Sequence, residues 1–344
     1  MSYSPCIGIT MGDPSGIGPE IILKALQRDE LYHLCRPLVV GDARVLKKTA
    51  NILGFECTIH SVDHERDGIY QPGTVDVFHL DCFKGEVQFG VVNAASGEAA
   101  FRSIVRVIQM ALEKRLDATD TAPINKESIH LAGHYFSGHT EIYAHNTDTE
   151  KYAMLLVHDH LRVIHVTTHV SLRQACDLVE KGRILEVIEL LHDACLNLGV
   201  RAPKIAVAGL NPHASDNGLF GWEEEREIIP AIREARQNGF NVDGPVPPDT
   251  MFAKAMGGHY DGCVAMFHDQ GHIPFKLVGF RWDDERNKME VSGVNITLGL
   301  PVIRVSVDHG TAFDVAGRGV ASETAMMLSI EYAIRMALRN QAQN

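Results

Sequence analysis

The chain has 344 residues, 45% of them apolar and 22% charged, which is the mix of an ordinary globular protein with room for about two domains. Against 32 Lys and Arg stand 44 Asp and Glu, a formal net charge of −12. That excludes a nucleic-acid binder working through bulk charge and leaves open an anionic small ligand, because a pocket's own field can oppose the net charge. No apolar run approaches the ~18 residues of a membrane span, and no basic segment followed by an apolar one opens the chain, so neither a membrane anchor nor a secretory signal is expected.

In chain order, Ile7–Met11 reads as a strand, followed by a Gly/Pro turn over Gly12–Pro19 and a helix from about Glu20. Pro37–Val40 is a short strand, with Asp42 placed to cap the next helix, and Val75–Leu80 alternates like a strand. Over Ala94–Leu116 apolar residues recur at helical spacing (Ile104, Val105, Ile108, Leu112), which predicts a long helix. Tyr152–Val157 and Arg162–Val166 are strand-like runs around a turn at His158–His160, and Leu185–Leu198 is helical. Lys204–Gly209 and Cys263–Phe267 read as strands ending in a polar turn, Val294–Leu298 and Val302–Val305 as strands, and Ser322–Leu338 as a closing helix. The charged stretch Arg281–Glu290 reads as a surface hairpin or inserted loop. Strands alternating with helices argue for an α/β fold with largely parallel sheets.

Seven cysteines, an odd number without CxxC spacing, fit scattered thiols of a cytoplasmic protein better than a disulfide framework or a structural zinc site. The 18 histidines carry more information. Three apolar runs end alike: VIHVTTH through His169, IAVAGLNPH through His213, and VAMFH through His268. Ligands of open α/β sheets bind at the carboxyl ends of strands. Three imidazoles converging there would make a divalent-metal site with positions open to substrate; the competing reading is three histidines that simply satisfy hydrogen bonds in loops. His165 and His169 are four apart on a strand-like segment, a spacing that does not pair them as it would on a helix.

A second set suits an anion. Ser137-Gly138-His139-Thr140-Glu141 offers a turn, an imidazole and a hydroxyl; Lys276, Asn295 and Arg304 follow further on. Arg provides a fork and Lys a point charge for carboxylate or phosphate, though each of these could be an ordinary loop residue. Two loops are glycine-rich. GDPSGIGPE at 12–20 lacks both GxGxxG and the P-loop Lys and reads as a structural turn, whereas DHGTAFDVAGRG at 308–319 has exposed amides able to meet a pyrophosphate.

On MGDPSGIGPE, TAPINKE, SGHTE, TTHVSL, GLNPHAS, PPDT, FHDQGHIPFK, GVNITLGLPVIR and SVDHGTAFDVAGRG, the chain resembles the 4-hydroxythreonine-4-phosphate dehydrogenase family over nearly its whole length. The glycine-rich loops are also similar to segments of isocitrate and isopropylmalate dehydrogenases. That resemblance implies their fold: two α/β/α domains with a cleft between them, residues 1–125 with about 305–344 forming the first and about 126–304 the second, in a homodimer. It implies His169, His213 and His268 as ligands of one divalent metal (Zn, Co, Mn or Mg) in a site shared between subunits. His139, Thr140, Lys276, Asn295 and Arg304 fall on substrate-binding positions, and His309, Gly310, Thr311, Ala312, Asp314 and Gly317 on the loop that holds NAD. Lys276 is the first candidate for general acid/base; Asp249 and Asp269 are the alternatives, or they orient histidines.

One departure concerns the substrate. Lys276 and Asn295 are 19 residues apart, longer than in the vitamin B6 enzymes, and the HIPFK wording is similar to the family's second branch, which oxidises D-threonate or D-erythronate 4-phosphate. The resemblance implies NAD-dependent oxidation and decarboxylation of a 4-phosphorylated four-carbon 3-hydroxy acid, D-threonate 4-phosphate giving dihydroxyacetone phosphate and CO2; 4-hydroxy-L-threonine 4-phosphate is the alternative. A zinc hydrolase, an acyl- or phosphotransferase and a sugar-acid sensor are the competing classes.

Overall fold

The structure, a computed structural model, describes residues 3–283 and 288–343. Its strands are β1 (Cys6–Thr10), β2 (Arg36–Gly41), β3 (Thr58–Val62), β4 (Thr74–His79), β5 (Ala118–Thr121), β6 (Ala153–His158), β7 (Leu161–His165), β8 (Lys204–Ala208), β9 (Asn241–Val246), β10 (Gly262–Ala265), β11 (Phe280–Asp283), β12 (Lys288–Val291), β13 (Val294–Leu298) and β14 (Arg304–Val307). The chain divides into two units, 1–150 with 300–344, and 151–299.

In the first unit the strand order is β3-β4-β2-β1-β5-β14, every neighbouring pair parallel. Strands of this kind are covered by helices on both faces and are apolar throughout; β1 is buried along its whole length. The long helix Ala94–Leu112 turns Ile104, Val107 and Ile108 into a core with Leu38 and Val40 of β2, and Asn93 caps it by accepting from Ser96 N at 2.8 Å. It stops at Leu112, short of the expected Leu116: Lys114 adopts a positive φ of 58°, which a helix cannot continue through. Leu112 is exposed, so the buried stripe runs through Val107 and Ala111 instead. Asp42 caps the helix Ala43–Leu53 as its position suggests, accepting from Arg44 N.

The second unit has the order β13-β6-β7-β10-β8-β9. Its sheet is mixed, a departure from a largely parallel one. The pairs β13–β6 and β6–β7 are antiparallel, whereas β7, β10, β8 and β9 run parallel. The cause is local. Only Asp159 and His160 separate β6 from β7, and Asp159 has φ 49°, the left-handed residue of a tight hairpin. β11 and β12 pair antiparallel in the stretch expected as a surface hairpin; 284–287 lie outside the described residues. No described helix is long and apolar enough to cross a membrane.

Candidate active site

Because β7, β10 and β8 are parallel neighbours, their carboxyl ends lie side by side, and the three segments carrying His169, His268 and His213 leave the sheet there. His169 and His268 come together, with ring centroids 5.9 Å apart. Asp269 Oδ1 lies 2.7 Å from His268 Nδ1; a carboxylate accepting from Nδ1–H fixes the tautomer and leaves Nε2 with its lone pair for a ligand. Among the described residues no group of three or more His, Cys, Asp or Glu is close enough to hold an ion within one chain. His213 stands on its own loop, 6.5 Å from the Phe220 ring by centroids.

Two further imidazoles adjoin this pair. FHDQG does not make a turn after β10: the helix His268–Gly279 begins on His268 itself, which places His272 one turn along the same face. The His268 and His272 rings stack, with centroids 3.7 Å apart and planes 10° from parallel, and His272 Nδ1 is 3.1 Å from the His268 carbonyl it donates to. His165, the last residue of β7, lies 4.6 Å from His272 by centroids and is buried. Burial holds His165 well below its ordinary range and, with the nearby His268, pushes His272 down to about 4, so both rings are neutral at pH 7. The i, i+4 spacing of His268 and His272 was the available signal for this stack, usable only once the segment is known to be helical.

The His213 loop is strained. His213, Ala214, Ser215, Asp216 and Asn217 all have positive φ, between 48° and 70°, a left-handed turn that costs L-residues about 1–2 kcal/mol each. Such strain persists only where surroundings over-determine it. Glu224, fully buried, faces this loop: its Oε1 accepts from Leu210 N and Asn211 N at 2.8 Å, and its Oε2 from Asn211 Nδ2 at 2.9 Å. Gln270 donates to Gly209 O at 2.8 Å and accepts from Met266 N at 2.7 Å, tying the segment after β8 to the one after β10. Neither residue stood out in the sequence.

In the first unit, Arg304 opens β14, is 2% exposed, and donates through Nη2 to Thr121 Oγ1 at 2.8 Å. Burial lowers its pKa to about 10, still a cation at neutral pH. His139 and Thr140 form the first turn of a helix, His139–Asn146, where the sequence reading expected a turn. His139 is half-buried as a residue, and its Nε2 is buried and makes no hydrogen bond. Burial first, and then the Arg304 charge, holds this imidazole well below its usual range. Tyr143 Oη donates to Thr119 Oγ1 at 2.9 Å. Asp120 accepts from Ser329 Oγ at 2.6 Å, and burial raises its carboxyl to about 7. A buried cation beside an imidazole with one unused nitrogen suits an anionic group.

In the second unit, Asn295 lies on β13 with its Oδ1 buried and unpartnered. Lys276 is exposed, its Nζ 5.0 Å from the Phe280 ring centroid, and stands about 12 Å along the helix from His268. Asp249 is exposed on the helix Pro248–Met256; with Asp269 it lines a largely apolar groove of about 500 Å³.

The loop 308–319 is anchored by its neighbours in the first unit. Thr311 O accepts from Ile17 N at 3.0 Å, and Gly16 lies so close that a Cβ there would sit 2.9 Å from Thr311 Cβ. At its far end Lys24 Nζ donates to Gly319 O and Ala321 O, while Glu20, buried, accepts from Lys24 Nζ and Ala321 N. His309 Nδ1 is 3.0 Å from Gly310 O, and burial keeps that imidazole below its usual range. Gly310 is exposed with open space on its Cβ side, Asp314 is exposed, and Ala312 has φ 41° and Gly317 φ 75°. Most of the loop's shape is thus set before any ligand arrives.

Known proteins match this chain over nearly its whole length. The model of the pyridoxal phosphate biosynthetic protein PdxA family matches residues 33–333. A D-threonate 4-phosphate dehydrogenase of Cupriavidus necator is 45% identical over 338 residues, 98% of each chain. A 4-hydroxythreonine-4-phosphate dehydrogenase of Desulfosudis oleivorans is also 45% identical, over 98% of this chain and 97% of its own. Among solved structures, the 4-hydroxythreonine-4-phosphate dehydrogenase of Klebsiella pneumoniae superposes with a TM-score of 0.85 at 45% identity, over 97% of this chain and 100% of the other.

Proposed function

From the premise that the chain belongs to the PdxA family, we propose that it is an NAD- and divalent-metal-dependent dehydrogenase. In this reading it oxidises C3 of D-threonate 4-phosphate, or its erythronate epimer, and releases CO2 to give dihydroxyacetone phosphate. The observation that carries the reading is the His169–His268 pair at the ends of neighbouring parallel strands, in a chain similar end to end to a D-threonate 4-phosphate dehydrogenase. The donor set fits a cation: two imidazoles within reach of one ion, one of them oriented by a carboxylate.

His169 and His268 would hold that ion, with His213 completing the set across a homodimer. An interface of that kind is supported by Met256, Ile273 and Leu277, apolar and 42%, 66% and 80% exposed. When bound, the two groups supply Lewis acidity at the C3 oxygen and hydride acceptance by the nicotinamide. The chain's own residues do the rest. Arg304, His139 and Thr140 take a charged end of the substrate, with Lys276 and Asn295 as the other polar contacts. Lys276 is assigned the proton transfer at the C3 hydroxyl, with Asp249 the alternative; Asp269 is already committed to His268. His309, Gly310, Thr311, Ala312, Asp314 and Gly317 are assigned the dinucleotide, whose pyrophosphate fits an open, glycine-bearing backbone. Seven free thiols support a cytoplasmic setting.

The test is NADH formation by metal-loaded protein with D-threonate 4-phosphate, D-erythronate 4-phosphate and 4-hydroxy-L-threonine 4-phosphate side by side. Preferential turnover of the sugar acids is the expected result. Preferential turnover of the amino acid, the activity named for the Desulfosudis relative, overturns the substrate assignment. No turnover of any of the three by protein that binds NAD and metal overturns the reaction.

A further inference from the structure

The five-residue left-handed turn at 213–217 is the most unusual backbone near the site, and it carries His213. Left to itself such a turn reverts to ordinary conformations, because Ala214 and Ser215 at its centre disfavour it. Something has to hold the chain entering it. Gly209 accepts from Gln270 Nε2, and the next two residues, Leu210 and Asn211, direct their backbone N–H groups at one carboxylate oxygen of Glu224. Asn211 Nδ2 reaches the other oxygen and also Glu223 Oε2. On the far side of the turn, Gly218 N donates to Ser215 Oγ, which itself donates to Glu225 Oε2 at 3.4 Å. Three consecutive glutamates therefore grip one loop. They can do so because 224–228 form a wide π-helical turn ahead of the helix Ile229–Gln237, a local widening that recurs at functional sites.

We propose that Glu224 is a positioning residue for His213: its buried carboxylate locks residues 210–211 and so fixes the strained turn in the arrangement that presents the imidazole to the metal. This rests on the reading of His213 as a ligand. The chemistry demands a carboxylate, since all three partners are N–H donors and only an acceptor-only group satisfies them. Glutamine would turn one oxygen into an NH2 that faces donors, while keeping size and shape.

Glu224→Gln, His213→Ala and the wild type are titrated with Co2+ in the absence of substrate, following the visible absorption of the bound ion, with hydrogen exchange measured over 209–218. The expected result is a 10- to 100-fold weaker Co2+ affinity for E224Q, the usual loss when a ligand's supporting hydrogen bonds are removed, with faster exchange confined to that segment. Ala214→Gly added to E224Q should recover part of the affinity, because glycine takes the left-handed conformation freely. Should E224Q not fold, Asn211→Ala removes one of the three donors and carries the same expectation. Wild-type affinity and spectrum in folded E224Q or N211A, with H213A weakened, would overturn the role of Glu224 alone. Wild-type Co2+ binding by H213A would instead overturn the ligand reading, and this inference with it.

Discussion

Replacing Arg304 by Met tests whether the buried guanidinium serves a ligand or the fold. Arg304 is 2% exposed and donates to Thr121 Oγ1 at 2.8 Å. A hydrogen bond to a charged group contributes about 1.5–3 kcal/mol. An anion held by the fork therefore loses about 3 kcal/mol in R304M, roughly 100-fold in kcat/KM at about 1.4 kcal/mol per factor of ten. Stability follows a different rule, because removing a buried cation exposes Asp120 to its own burial cost. Asp120 titrates in the fold at about 7 against an ordinary 3.8, with burial as the main cause and Arg304 opposing it. A raised carboxyl keeps its proton in the folded state, so its contribution is complete below pH 3.8 and disappears as pH rises through about 7. Without Arg304 the folded value climbs further, and that window extends upward. R304M should thus lie further below the wild-type melting temperature above pH 7 than at pH 6, the extra deficit growing by at most about 1.4 kcal/mol per pH unit. The assay pairs kcat/KM for the phosphorylated acid with thermal melts at pH 6 and pH 8.5. Unchanged kcat/KM refutes the anion role, and an equal loss of stability at both pH values refutes the coupling to Asp120.

Three other perturbations have defined outcomes. Asp269→Asn removes the acceptor on His268 Nδ1 and should weaken Co2+ binding about 10- to 100-fold without moving the melting temperature, since the carboxylate is 71% exposed; unaltered binding by calorimetry counts against the orienting role. Glu20→Met removes the one buried oxygen that accepts from both Lys24 Nζ and Ala321 N and should cost about 1–3 kcal/mol in denaturant melts, with a rise in the KM for NAD if the 308–319 loop holds it. Gly97→Ala places a Cβ 1.9 Å from Ser128 O, backbone that cannot step aside, so a loss of about 1–3 kcal/mol or more is expected; a melt matching wild type would mean that the helices Ala94–Leu112 and Lys126–Leu131 separate more easily than their packing implies.

The sheet scaffold was legible because its strands announce themselves. Runs such as Ile7–Thr10, Ile205–Ala208 and Cys263–Ala265 are buried on both faces, and continuous apolar runs of that length read as parallel strands. A histidine just past three of them could be placed near strand ends without knowing the strand order. The order β7-β10-β8 then makes two of those ends neighbours of the third. What the alternation could not reveal was that β6 returns antiparallel, because this depends on a two-residue link rather than on strand composition.

The less legible parts of the site share a physical cause: they depend on backbone conformations with no composition signature. Gly138-His139 and Phe267-His268 read as turns because glycine, histidine and aspartate favour loops, yet each opens a helix. The second of these also contains Pro274, which argues against a helix interior. That misreading hid the His268–His272 stack, visible only at helical spacing. The 213–217 turn is harder still. His-Ala-Ser-Asp-Asn has no residue whose side chain calls for positive φ at all five positions, so its shape is dictated from outside, by a carboxylate eleven residues downstream of His213 in a wide helical turn. A conformation imposed by tertiary contacts on residues that resist it is invisible to local propensity. The same resistance makes the turn a two-sided device. The contacts that hold it fix the direction of the imidazole, and the strain they balance ensures that losing one of them moves His213 instead of leaving it in place.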